Sequence, residues 1–332
     1  MTEESTPVQT SNAEIQSEEK KMETYLVAYL DFLGASERMK KDNGELLNEI
    51  ADLYSDTKEM LARSDTVFSN LKIKTFSDNI IVAQKVDTTL PFNSFYEENL
   101  FGILSFVAYL QILSPVSPGL LIRGGLTLGE FYFDEQFVWG PALLRAHDLE
   151  SKVAVYPRIV IDSPVLEHIS KTGDLQLQIH NEESDNSDIF VDGLHISLTT
   201  NEAFGLYTKE LSSLVLKDFD GIHYLNSLQI LFTFNERYEF GVKRIGQDKV
   251  DALNPNSSYL VERIPKLLSI ERRFLLKLTN DKITARVFPK LSWVLTYFNS
   301  VCTKNGYGAY VINESEYPSL PAYCRYKNGG EK

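Results

Sequence analysis

Cysteine is scarce in this chain, which has only Cys302 and Cys324 among its 332 residues. Two cysteines placed so late cannot build a disulfide framework or a cysteine-based metal site. The five histidines show no spacing that is typical of zinc ligands. We therefore expect a protein of the reducing cytoplasm that has no zinc or disulfide framework.

Positive charge is also in short supply, because the formal net charge is −13 at pH 7. A general nucleic-acid binder would need a basic surface, so this class of protein is not expected. A nucleotide substrate stays possible, since metal ions can neutralise a triphosphate locally.

Long hydrophobic runs are absent as well. The longest one, Leu100–Leu113, contains Ser105 and Gln111 and is too short to span a bilayer. The N-terminal residues lack the basic and apolar segments of a signal peptide. Neither a G-x-x-x-x-G-K-[ST] phosphate-binding loop nor a dinucleotide fingerprint occurs. We expect no membrane partner and no chemistry that depends on these loops.

What the chain does contain predicts a folded region between a tail and an extension. Residues 1–22 are polar and should form a disordered N-terminal tail. Residues 23–240 alternate strand and helix patterns, which predicts an α+β sheet covered on one face by helices. Residues 241–332 have mainly helical patterns and should form a C-terminal extension.

Local patterns in the folded region predict its first elements. A buried strand starts at Tyr25, and a helix follows over about 35–63. Ser77–Asp78–Asn79 is turn chemistry between two short strands. A later strand over Leu120–Leu128 should be interrupted at Gly124–Gly125.

Two aspartates lie at the ends of these predicted strands. Asp31 follows the first apolar strand, and Asp78 lies in the hairpin turn. Taken singly, Asp31 could be a helix cap and Asp78 an ordinary turn residue. Together, carboxylates at the ends of adjacent strands can hold two divalent cations about 3.5–4 Å apart, which is the arrangement for in-line phosphoryl displacement. The pair therefore favours metal-dependent phosphoryl transfer.

Four segments resemble, in their order, those of class III nucleotidyl cyclases, and the resemblance covers about residues 25–165. The segments are Tyr29–Gly34, Lys74–Asp78, Ile122–Gly129 and Val138–Gly140. Within that superfamily the chain looks most like the bacterial pyrimidine cyclases of the Pycsar antiphage defence system. The residues that carry this finer likeness are Leu30–Gly34, Gly140–Leu143, Leu149–Glu150 and Tyr156–Val160.

The resemblance implies a fold, a reaction and partners. The fold is the class III cyclase sheet, of the ferredoxin-like or palm type. The reaction converts CTP or UTP to cyclic CMP or cyclic UMP plus pyrophosphate, with two Mn²⁺ or Mg²⁺ ions per site. Asp31, Asp78 and the main-chain carbonyl of Phe32 would be the metal ligands. A homodimer with composite sites is implied, and the cyclic nucleotide would act indirectly on an antiphage effector.

Two further residues are predicted to contact the nucleotide. Lys74 aligns with the base-reading lysine of purine cyclases, and a solvated strand lysine is the alternative. Arg123 precedes Gly124–Gly125 and would contact the triphosphate or the base, with an ion pair to a carboxylate as the alternative.

The chain also departs from the purine cyclases. Leu144 and Asp148 stand where those enzymes carry the Asn and Arg that position ribose and stabilise the transition state, so neither role carries over. Arg145 and Arg158 are candidates to replace the missing arginine. Phe137 stands near the adenine-reading position, where it could pack on a base or belong to the core.

Other hypotheses remain beside the cyclase. A catalytically silent cyclase-fold nucleotide sensor would also explain the missing Asn and Arg. A palm-type polymerase or a diguanylate cyclase is less favoured, because Gly124–Gly125–Leu126 lacks the carboxylates of the diguanylate signature and the acidic charge opposes duplex binding. Both CTP and UTP stay open as the substrate.

Overall fold

The computed structural model describes most of the region that was predicted to be folded. The described residues are 20–62, 71–87, 100–168, 170, 186–191, 194–199, 209–253, 257–280 and 287–316. Residues 1–19 of the predicted tail lie outside this set. Lys20 is described, and its ammonium contacts the carboxylate of Asp134 and the hydroxyl of Tyr132.

An eight-stranded sheet forms the centre of the described chain. Its strands are β1 (Glu23–Leu33), β2 (Leu71–Phe76), β3 (Asn79–Lys85), β4 (Leu121–Phe133), β5 (Val138–Trp139), β6 (Ile159–Ile161), β9 (Val215–Lys217) and β10 (His223–Leu225). They are arranged in the order β2-β3-β1-β4-β6-β10-β9, with β5 beside β4, and only the β4–β6 pair is parallel among the described neighbours. A separate hairpin pairs β7 (Asn186–Val191) with β8 (Leu194–Thr199).

Helices cover the sheet and make up the C-terminal part. They are α1 (Ala35–Met39), α2 (Glu45–Ala62), α3 (Gly102–Leu113), α4 (Pro141–Asp148), α5 (Gln229–Ile245), α6 (Gln247–Leu253), α7 (Ser257–Asn280) and α8 (Phe288–Lys304). One π-helical turn, Leu149–Val153, continues α4. Short 3₁₀ turns at Gly308–Tyr310 and Glu314–Glu316 follow α8. The predicted α+β class with a helical C-terminal part is confirmed.

The alternation of side chains along β1 explains the layers. Leu26, Ala28, Leu30 and Phe32 point into the main core, which also contains residues of α2, α3, α5, α7 and α8. Tyr25, Val27 and Tyr29 point to the opposite face, where Ala142 and Ala146 of α4 pack on them. Most helices therefore lie on one face, as predicted, and α4 covers the other face in addition.

The predicted interruption at Gly124–Gly125 is wrong, because β4 runs unbroken through both glycines. A Cβ atom at Gly124 would lie 2.6 Å from the main-chain oxygen of Tyr29. At Gly125 it would lie 2.3 Å from the Cβ of Leu149. The glycines thus let β1 and the π-helical turn approach β4 closely, and they do not end the strand.

The helix predicted over about 35–63 is instead two helices. Residues 40–44 separate α1 from α2, and Gly44 has a φ of +90°, a left-handed conformation that favours glycine. Asp42 then accepts hydrogen bonds from the N–H groups of Gly44 and Leu46, at 3.1 Å each, at the start of α2.

The C-terminal helices share the core of the sheet. The predicted boundary between residues 240 and 241 falls inside α5, a helix that the sequence patterns missed, and the division into two units stays a prediction. Within the described chain, no helix combines the length and the apolar character that crossing a membrane requires.

Candidate active site

The two predicted metal-binding aspartates are brought together by main-chain pairing. Asp31 lies opposite Asn79 in the β1–β3 register. The N–H of Phe32 donates a hydrogen bond of 3.2 Å to the main-chain oxygen of Asp78. The end of β1 and the turn between β2 and β3 therefore form one unit that carries both aspartates.

Neutral donors hold the carboxylate of Asp78. The hydroxyl of Ser36 on α1 donates a hydrogen bond of 2.7 Å to Oδ2, and the Ser77 hydroxyl and the Asn79 amide donate to Oδ1 at 3.1 and 3.2 Å. Ser77 has a φ of +54°, which is uncommon outside glycine and tightens the hairpin turn. No described cationic side chain forms an ion pair with Asp78, so its negative charge is not compensated.

Asp31 belongs to a cluster that we call the Arg123 cluster, which consists of Asp31, Arg123 and Glu150. Arg123 lies opposite Asp31 in the β1–β4 register, and its Nε is 3.2 Å from Oδ2 of Asp31. Its Nη2 is 2.7 Å from Oε1 of Glu150, a side chain that is only 5% exposed on the π-helical turn. One guanidinium therefore serves two largely desolvated carboxylates.

Burial is the main cause of the pKa shifts in this cluster. Burial raises the pKa of Asp31, the Arg123 guanidinium opposes the rise, and the nearby charge of Asp78 adds to it. Burial likewise raises the pKa of Glu150 against the effect of Arg123, and the charge of Asp31 adds to that rise. A further cation would stabilise the ionised form of each carboxyl.

The donor set fits a hard divalent cation. Carboxylate and carbonyl oxygens are the ligands that Mg²⁺ and Mn²⁺ take, and among the described residues the carboxylates of Asp31, Glu150 and Asp78 have only the one guanidinium of Arg123 as an ion-pair partner. Phe32 contributes only its main chain, because its ring is buried in the core. Among the described residues, no group of three or more His, Cys, Asp and Glu side chains converges on one point. Main-chain and substrate oxygens would therefore complete the coordination.

Lys74 contacts the loop between β4 and β5. Its ammonium donates hydrogen bonds to the main-chain oxygens of Glu135, at 2.7 Å, and Asp134, at 3.4 Å. A nucleotide would have to replace these carbonyl contacts, so the predicted base contact stays a prediction. Phe137, in the same loop, is half exposed and lies 4.8 Å below the ammonium of Lys20, so it is not a core residue.

The two arginines that could replace the missing transition-state arginine differ in access. The side chain of Arg158 is 1% exposed and is held by Asp218 and Asp220, so its guanidinium is not available to a nucleotide. Arg145 is half exposed on α4, and its guanidinium grips Asp162 through two hydrogen bonds of 2.8 and 2.6 Å. Of these two arginines, only Arg145 has a side chain that a nucleotide could reach from solvent.

The positions that depart from purine cyclases lie on the surface of α4. Leu144 is 71% exposed, and Asp148 forms an ion pair of 2.8 Å with Lys152. Neither residue is part of the core.

Three residues near the aspartates were not predicted as part of the site. Ser36 binds Asp78, and Glu150 binds Arg123. Lys290, on α8, is near enough for its charge to lower the pKa of Asp31. Leu149–Glu150 was noticed only as part of a resemblance, and no local pattern marks Ser36 or Lys290, because only the tertiary fold brings them here.

No protein family matches the chain, and no curated protein matches it by sequence. Several solved structures are similar in fold. The guanylyl cyclase domain of the RhoGC fusion protein from the aquatic fungus Blastocladiella emersonii is 15% identical over 46% of this chain and 88% of its own, with a TM-score of 0.35. The guanylyl cyclase Cya2 is 14% identical over 54% and 91%, with a TM-score of 0.34. The adenylyl cyclase CyaB from P. aeruginosa is 16% identical over 55% and 93%, also with a TM-score of 0.34. Likenesses this weak assign no residue roles and no substrate.

Proposed function

We propose that this protein is a metal-dependent nucleotidyl cyclase that converts CTP or UTP to the 3′,5′-cyclic monophosphate and pyrophosphate. The observation that supports this most directly is the pair of Asp31 and Asp78, which main-chain pairing holds together and of which Asp78 has no described cationic partner. A substrate with a triphosphate and two divalent cations would supply the positive and negative charges that such a site can bind.

Each residue of the site has a role in this proposal. Asp31, Asp78 and the carbonyl of Phe32 would hold two Mn²⁺ or Mg²⁺ ions, which when bound lower the pKa of the attacking 3′-hydroxyl and neutralise charge on pyrophosphate. Arg123 fixes the orientation of Asp31 and is a candidate contact to the triphosphate. Lys74 would contact the base after it leaves the carbonyls of the β4–β5 loop.

A homodimer with composite sites is part of the proposal. The ring of Phe76 contacts Tyr29, and Tyr29 contacts His147 of α4, which ties the end of β2 to the α4 face. Phe76 and Leu144, on this face, are exposed apolar side chains. A second copy of the chain would cover such apolar surface. The cyclic product would then act as a cytoplasmic second messenger on an antiphage effector.

The first test is product formation by the purified protein. ATP, GTP, CTP and UTP are incubated separately with the protein and Mn²⁺, and products are identified by mass spectrometry. We expect one cyclic pyrimidine monophosphate. Asp31→Asn or Asp78→Asn should lower its rate at least about 10³-fold, or about 4 kcal/mol, because a metal ligand is lost.

Asp248→Asn is the matched control, because Asp248 is an exposed aspartate on α6. It should keep full activity. A cyclic purine product would overturn the pyrimidine assignment, and activity that survives in Asp31→Asn would overturn the metal site. Nucleotide binding without any product would favour the silent sensor, the alternative that the missing Asn and Arg at the positions of Leu144 and Asp148 favour.

A further inference from the structure

A cleft of about 580 Å³ lies between the first helices of the chain and the C-terminal helix α7. One side is formed by α1, α2 and residues 115–119, which precede β4. The other side is formed by one face of α7. The cleft is separate from the candidate active site, because Asp31, Asp78 and Arg123 are not among its lining residues.

Cations outnumber carboxylates in the cleft, although the chain as a whole is acidic. Arg38, Arg273 and Lys277 line it together with a single carboxylate, Glu49. Arg38 is already engaged, because its Nη2 lies 2.5 Å from Glu49 and its Nη1 donates a hydrogen bond of 2.6 Å to the Pro118 oxygen. That ion pair cancels the charge of Glu49.

Arg273 and Lys277 supply the remaining charge. They lie four residues apart on α7, so their side chains project from the same helix face. Both are exposed, and neither forms an ion pair or a hydrogen bond with any residue in the described part of the chain. The mouth of the cleft therefore carries a net charge of about two positive units, which suits a phosphate group.

The other lining side chains are apolar except for that of Ser117. Ile270 and Phe274 on α7 face Pro115, Val116 and Pro118 across the cleft. Pockets of about 300–1,000 Å³ with an apolar lining and a few placed polar groups are typical of small-ligand sites. An inorganic anion would use only the cations, whereas a ligand with a flat ring and a phosphate would use both parts of the lining.

We propose that this cleft binds a nucleoside monophosphate, with the phosphate at Arg273 and Lys277 and the base between Phe274 and the 115–118 segment. This inference is independent of the proposed cyclase activity, because it uses none of the same side chains.

The test uses the full chain with Asp31→Asn and Asp78→Asn combined, in buffer with EDTA. The candidate active site then lacks both its metal ions and the two carboxylates proposed to bind them. AMP, CMP and inorganic phosphate are titrated separately by calorimetry. We expect one site for AMP or CMP and much weaker binding of inorganic phosphate. Adding Arg273→Ala and Lys277→Ala should weaken nucleotide binding at least tenfold.

A second pair of substitutions controls for charge and folding. Lys249→Ala with Lys266→Ala removes two exposed cations from α6 and α7 that do not line the cleft, and it should leave the affinity unchanged. Three results would overturn the proposal. They are no nucleotide binding, equal losses in the two double variants, and inorganic phosphate binding as tightly as the nucleotides.

Discussion

Two arginines of this molecule each lie between two carboxylates, but their surroundings differ. The guanidinium of Arg158 is buried and contacts Asp218 and Asp220, and these carboxylates also accept hydrogen bonds from the Trp293 indole at 2.7 Å and from the Ile222 N–H at 3.1 Å. In the Arg123 cluster, no other described residue donates a hydrogen bond to the carboxylate of Asp31 or of Glu150.

The carboxyls respond to this difference. Burial opposes the ionisation of Asp220, but the hydrogen bonds from Arg158 and the Ile222 N–H hold its pKa below the usual value. Burial raises the pKa of Asp31 and of Glu150, and Arg123 does not offset it. The Arg158 cluster therefore keeps Asp220 ionised, although Nε of Arg158 has no hydrogen-bond partner among the described residues, while Asp31 and Glu150 share the single cation of Arg123. This contrast separates a structural ion pair from a candidate binding site.

The largest expected effect that tests the contrast is on stability. Arg158→Met should lower the free energy of unfolding by about 3–5 kcal/mol, because Asp218 and Asp220, at 11% and 31% exposure, lose a cation that is itself only 1% exposed. Arg123→Met should cost clearly less, since the side chain of Arg123 is closer to solvent, at 22% exposure against 1% for Arg158. Urea unfolding at pH 7 measures both. Equal losses would mean that the two clusters do not differ in kind.

Glu271 is a buried carboxyl outside the candidate active site, and its raised pKa affects the pH dependence of stability. It lies on α7 in the helical core, its Oε2 has no hydrogen-bond partner within the described residues, and burial raises its pKa to about 8. The folded state keeps the proton up to about pH 8, whereas the unfolded chain releases it near the ordinary value of 4.5. The contribution of Glu271 to the free energy of unfolding therefore falls as the pH rises from 4.5 to 8.

Glu271→Gln should remove this pH dependence. The variant should gain on the order of a few kcal/mol over the parent protein at pH 8 and little at pH 5, as measured by urea unfolding at both values. Glu262→Gln, an exposed position on the same helix, serves as the control and should show no such gain. An identical gain at both pH values would contradict a buried, protonated Glu271.

The smallest expected effect is the one that a metal ion has on stability. Mn²⁺ at a hundred times its Kd should stabilise the folded protein by about 2.7 kcal/mol, because it binds the native state alone. Thermal unfolding with and without Mn²⁺ measures this shift. Asp31→Asn and Asp78→Asn should abolish it, whereas Asp248→Asn and Glu271→Gln should keep it. A shift that persists without both aspartates would place the metal elsewhere.

The sequence predicted the parts that depend on local pattern. The apolar run from Tyr25 became β1, and the Ser77–Asp78–Asn79 turn joined β2 to β3. These two elements were enough to predict that Asp31 and Asp78 lie near each other in the sheet, because strands and hairpin turns can be recognised from apolar runs and turn-forming residues. The class of the fold followed from the same alternation of elements.

The rest depended on tertiary contacts. Glycine normally weakens a strand, yet Gly124–Gly125 continues β4 because the neighbouring chain lies too close for a side chain. The helix α5 was missed, because its buried residues include the polar side chains of Gln229, Thr233 and Arg237 beside the apolar ones, which obscures a helical hydrophobic pattern. Nothing local distinguishes Arg158, which is buried with two aspartates, from Arg123, which pairs with Asp31. Only the positions of Asp218 and Asp220 in space do so.

The short helix α1 has one further consequence. Its Ser36 holds the carboxylate of Asp78, and two residues later its Arg38 forms a wall of the cleft beside α7. A helix of five residues is too short to bend between these points, so the two places share one rigid part. We therefore expect a displacement of α1 to reach both the paired aspartates and the cleft beside α7.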